Sequence, residues 1–171
     1  MKLLTTIVGP RSVDLGSLKP GHRSLFVFAD SADTPNDPFC AIIEGKLIPF
    51  FVIEEDGTKE GEVSIVSLDG TQILRRPSTR QVMKIPGVFL DESGQGQKVL
   101  KARLSNAEDG GVVDLTDSKV SYMKVQGNPT PVGKVILVRL IDGIKSLVDD
   151  DLLVTVRDSI SVNFELCFKK P

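Results

Sequence analysis

Tryptophan is missing from the 171 residues, and tyrosine and histidine occur once each. Each scarcity removes a class of function. With His22 alone, one chain cannot build a metal centre from two or three imidazoles, so zinc, iron and copper sites are not expected. A serine or cysteine relay would have to run through that same His22. It sits in the Lys19-Pro20-Gly21 turn region with no nucleophile motif beside it, and reads as a loop histidine. Sugar-binding sandwiches stack their ligand on exposed tryptophan or tyrosine, and only Tyr122 is available for that.

Cysteine is also scarce. Cys40 and Cys167 lie far apart, make no disulfide framework, and read as free thiols. Phosphate-cradling motifs are missing too. No Gly-x-Gly-x-x-Gly or Walker pattern occurs, and Gly94-Gln95-Gly96-Gln97 reads as a hairpin tip with no helix behind it. No catalytic centre is expected, and the chain reads as a non-enzyme with no cofactor beyond a calcium ion.

Charge of one sign is not in excess. Twenty-one Lys and Arg stand against 23 Asp and Glu, a formal net charge of -2. Nucleic acid and anionic membrane surfaces select a basic excess or a basic face, so neither is expected as a partner. No apolar run approaches the ~18 residues of a spanning helix. The first residues, Met1-Lys2-Leu3-Leu4-Thr5-Thr6-Ile7-Val8, form a short apolar run that Gly9-Pro10 stops, which is not a signal-peptide pattern. Asn128 is followed by Pro129 and is no glycosylation acceptor. The expected location is the cytoplasm or a virus particle.

What the sequence does have is alternation. Ile160, Val162, Phe164, Leu166 and Phe168 alternate with Ser161, Asn163, Glu165 and Cys167, which predicts a strand with one face in a core and Phe164 buried. Leu100, Ala102 and Leu104 alternate with Lys101 and Arg103. Val63, Ile65 and Leu68 suggest a strand, as do Val120, Tyr122, Met123 and Val125. Two runs, Leu25-Phe26-Val27-Phe28 and Val135 to Ile141, are apolar on both faces and predict strands covered on both sides. Leu47 to Ile53 resembles them but carries Pro49, which places it at an edge or a bulge.

Between the runs lie turn signals: Asp56-Gly57, Asp69-Gly70, Asp109-Gly110-Gly111 and Asp142-Gly143. The best helical candidate is a single turn near Ser146 to Asp151. At this length one domain covering residues 1–171 buries roughly 70 % of its unfolded surface. The fold expected is all-β: an antiparallel sandwich, jelly-roll-like, of roughly ten strands, with a closed barrel as the alternative.

Three groups of residues are candidates for function. From Gly9 to Gly21 the chain is punctuated by Gly and Pro yet carries Val13, Leu15 and Leu18. It reads as a surface connection or as an arm that reaches a neighbouring subunit. Arg75, Arg76 and Arg80 form the one basic cluster, either solvated or a clamp for a partner's phosphate or carboxylate. Asp30, Asp33 and Asp37, and the run Asp149-Asp150-Asp151, are ordinary turn acids or calcium ligands on two loops.

These features order three readings. The first is a structural or assembly protein acting through contacts with copies of itself or with other subunits, as a component of a virus particle does. The second is a C2-like or lectin-like ligand-binding module that uses the acidic loops with calcium. The third is an enzyme working with a carboxylate pair.

Overall fold

A computed structural model of the chain describes residues 12–28, 48–85, 100–115, 120–127 and 130–157. The described residues form strands β1 (Ser12–Asp14), β2 (Phe26–Val27), β3 (Phe50–Ile53), β4 (Glu62–Ser67), β5 (Ile73–Pro77) and β6 (Gln81–Lys84). They continue as β7 (Leu100–Arg103), β8 (Val112–Leu115), β9 (Ser121–Val125), β10 (Lys134–Arg139), β11 (Lys145–Asp149) and β12 (Leu153–Arg157). Short 3₁₀ turns stand at Leu15–Ser17, His22–Ser24 and Leu104–Asn106.

The strands make two six-stranded antiparallel sheets, β1-β6-β2-β3-β4-β5 and β11-β10-β9-β8-β12-β7. Among the described residues neither sheet closes on itself, so the arrangement is a sandwich and not the alternative barrel. The described chain completes one sheet before it begins the other.

The core follows from side-chain alternation. Between the sheets lie Leu25 and Val27 of the first and Met123, Val125, Ile136 and Val138 of the second, with Phe51, Val66 and Met83 beside them. The two runs that are apolar on both faces use both. Phe26, Phe28 and Phe50 point to the outer face of the first sheet with Val52, Ile65 and Val82. Val135 and Leu137 point to the outer face of the second, where Leu104, Ala107, Val113 and Val154 pack over them. The Phe28 and Phe50 rings meet edge to face at 5.2 Å between centroids.

Two positions differ from the sequence reading. Pro49 does not put its strand at an edge: β3 pairs with β2 on one side and β4 on the other. Proline is tolerated because it stands just before the strand, where it owes the ladder no N–H, and its carbonyl accepts from the Leu68 amide at 2.8 Å. The stretch Ser146 to Asp151 is not a helical turn. Lys145–Asp149 is strand β11, paired along its length with β10. The Asp142-Gly143 turn sets that hairpin's register, and the ladder outweighs the local preference.

The sheets are pinned together by backbone. The Gly21 amide donates to the Val52 carbonyl of the first sheet at 2.9 Å, and the next amide, of His22, donates to Leu140 of the second at 2.7 Å. Gly21 has φ +117, and a Cβ there would lie 2.5 Å from the Ile141 carbonyl oxygen. Only glycine fits. Further along the sandwich, Gly70 and Gly110 meet backbone to backbone, and the Gln126 amide donates to the Gly70 carbonyl at 2.7 Å. The run Ile160 to Phe168, Phe164 included, lies outside the described residues.

Candidate functional site

Of the proposed arm Gly9 to Gly21, residues 9–11 lie outside the described residues, and Ser12 to Gly21 packs on its own domain. Leu15 is fully buried, and Val13 and Leu18 lie against the same outer cluster as Phe26, Phe50 and Val82. The placement is fixed by backbone: β1 pairs with β6, and the Leu15 and Gly16 amides donate to Arg80 and Ser78. Gln81 adds a side-chain bond to Asp14. Leu15 is therefore not available to another subunit; the cluster it completes belongs to its own sheet.

The three arginines do not converge. Arg75 and Arg76 are neighbours on β5 and point to opposite faces. The Arg75 guanidinium meets the Glu55 carboxylate at 2.5 Å. Arg76 donates to the Arg75 carbonyl at 2.8 Å. Arg80 lies 5.7 Å from the centre of the Phe28 ring, a cation–π distance. A clamp on one phosphate would need at least two of them aimed at the same point.

Of the acidic residues, Asp30, Asp33 and Asp37 lie outside the described residues, as do Cys40 and Cys167. Asp149 pairs with Lys134 at 2.5 Å. The Asp150 amide and carbonyl bond Gly133 and Ser105, and Asp151 is exposed. Among the described residues no three His, Cys, Asp or Glu side chains gather where a cation would sit, and no helix is long and apolar enough to cross a membrane.

His22 is buried. Its Nδ1 donates to the Leu140 carbonyl at 2.7 Å, the same oxygen that its own amide reaches, so the ring is part of the pin between the sheets. Nothing local in Pro20-Gly21-His22-Arg23 signals this, because the acceptor is distant in sequence.

Among the described residues a concave region lies where β5 of one sheet faces β11 of the other. Glu55 spans this mouth, with Arg75 on one side and Lys145 Nζ 3.8 Å away on the other. Its Oε2 is buried without a hydrogen-bond donor. A groove of about 440 Å³ runs from Glu55 past Thr71, Gln72 and Gln126 over Ile73 and Ile136. A second, of about 600 Å³, lies between the acidic run Glu54-Glu55-Asp56 and the edge residues Ile144, Lys145, Ser146 and Leu147. Ile144 and Leu147 are 43 % and 50 % exposed there.

Nearby carboxylates are held ionised by hydrogen bonds. Asp142 has its pKa lowered by the Arg139 guanidinium and by the Ile144 amide. Burial pushes the Asp69 carboxyl up, but donors from Ser67 and Thr71 outweigh it and the net shift is downward.

No known protein family, curated protein or solved structure matches this chain.

Proposed function

We propose that this protein is a non-enzymatic structural or assembly subunit, of the kind that builds a virus particle, and that it acts through contacts with copies of itself or with other subunits. The observation that carries the reading is the border of the second sheet. Ile141, Ile144 and Leu147 are 45 %, 43 % and 50 % exposed along or beside β11, which among the described residues has no strand on its outer side. An edge strand that keeps apolar side chains is a template for pairing with another chain, and such edges are otherwise blunted by charge or proline. The edge β5, with Arg75, Arg76 and Pro77, is blunted in that way.

A ligand-binding module is the second reading. The buried Glu55 oxygen and the amide- and hydroxyl-lined groove beside it favour it. Sedimentation equilibrium of the full chain, with and without millimolar calcium, separates the two. Mass that rises with protein concentration and ignores calcium supports assembly. A monomer at every concentration whose melting temperature rises with calcium supports the module and overturns the assembly reading.

A further inference from the structure

We propose that copies of this chain join head to tail, the edge β11 of one adding to the edge β7 of the next, so that the second sheet continues from subunit to subunit. This rests on the assembly reading and names its contact.

Backbone direction comes first. The Arg139 amide donates to the Ile144 carbonyl at 2.9 Å. Along an antiparallel ladder successive residues face alternate sides, so Ser146 and Val148 also turn their polar groups to β10 while Lys145, Leu147 and Asp149 turn theirs outward. The Lys145 amide confirms the direction by donating to the Glu54 carbonyl at 3.3 Å. That contact ends the edge at Lys145, and no described strand covers Leu147. At the other border β7 has β12 on one side and no described strand on the other.

Strand polarity permits the contact. All neighbours in this sheet run antiparallel, and its six strands place β7 opposite in direction to β11. A second copy displaced along the sheet, without being turned over, therefore brings its β7 antiparallel to β11.

Charge favours it. Leu147 lies across from Ile136 of the inter-sheet core, so Lys145, Leu147 and Asp149 share the inner face. Ala102 lies across from Val154 of the outer cluster, so Lys101 and Arg103 are on the inner face of β7. Both are exposed and take part in no ion pair among the described residues. The bank of the β11 groove carries Glu54 and Asp56, also exposed and unpaired among the described residues. The arriving edge is basic and the receiving groove is acidic. An isologous β11–β11 contact would instead set two acidic banks against each other.

The test uses the full chain and two variants. In Leu147→Pro the lost amide is one that faces outward, so the β10 ladder keeps its bonds while the edge loses a donor. In Lys101→Glu/Arg103→Glu the other edge carries the wrong charge. A β-type circular dichroism spectrum checks that each is folded, and Leu147→Lys replaces the proline variant if that one is not. The wild type is expected to associate beyond a dimer as concentration rises. Each variant alone is expected to associate at least about tenfold more weakly, and an equimolar mixture to form heterodimers, because one intact junction remains. Self-association of Lys101→Glu/Arg103→Glu into dimers overturns the head-to-tail geometry. Variants that assemble like the wild type overturn the β11–β7 contact but leave the assembly reading standing. A wild type that stays monomeric overturns both.

Discussion

The segment Ser12 to Gly21 and strand β11 carry apolar side chains of the same kind and put them to opposite use. In the first, Leu15 is fully buried under the outer face of the first sheet. In the second, Leu147 is half exposed on an edge whose outward backbone groups meet no described strand. The irregular segment looks like the free one and the strand like the bound one, and the reverse holds. What decides is backbone. The irregular segment is held at Leu15, Gly16, Gly21 and His22 by amides bonded to four different acceptors, whereas β11 beyond Lys145 is bonded, among the described residues, to β10 alone.

The largest effect that tests this difference is on stability. Leu15→Ala is expected to cost about 2–5 kcal/mol, since it opens a cavity among Phe26, Phe50 and Val82, while Leu147→Ala is expected to cost under about 0.5 kcal/mol. Urea unfolding of both variants measures it; equal costs would erase the distinction. Next comes Gly21→Ala, which forces a Cβ onto the Ile141 carbonyl at a φ that side chains avoid. On the order of 1–3 kcal/mol of strain is expected, read as a lowered melting temperature. A neutral result would mean that the pin between the sheets is not rigid.

Asp69→Asn should follow at roughly 1 kcal/mol, because the bonds from Ser67 and Thr71 then end on a neutral amide oxygen and lose the strengthening that the carboxylate charge gives them. The smallest effect is on pH. Asp69 and Asp142 have folded pKa values below the ordinary carboxylate value, so their contribution is present above that value and lost as pH falls through the folded one. Melting temperature should therefore decline below about pH 4. Asp69→Asn and Asp142→Asn should each flatten that decline.

The strands were legible wherever alternation or turn chemistry was local. Glu62–Ser67, Ser121–Val125 and Lys134–Arg139 follow their apolar patterns, and all four Asp-Gly turns fall between or beside strands. The two-faced runs revealed that both sheets are covered outside as well as inside. What stayed hidden was set by partners distant in sequence. Strand β11 carries its two apolar residues, Leu147 and Val148, side by side between polar ones, so it shows no alternation, and the ladder with β10 makes it a strand. The pairing of β1 with β6 carries Leu15 into a core. Arg75, Arg76 and Arg80 read as one cluster along the chain, but the pleat and the turn after Pro77 send them to Glu55, the Arg75 carbonyl and Phe28. The mouth at Glu55 required knowing that β5 and β11 face each other, which no single segment states.

The most direct measurement is amide hydrogen exchange followed residue by residue at low and high protein concentration. The Leu15, Gly16 and His22 amides, bonded within the chain, should exchange slowly at both concentrations. The Leu147 amide, which points out of the sheet, should exchange fast when the protein is dilute and become protected when it is concentrated, while Ser146 and Val148 stay protected throughout. A Leu147 amide that exchanges at the same rate at both concentrations, or a Leu15 amide that is fast when dilute and slow when concentrated, would contradict the account.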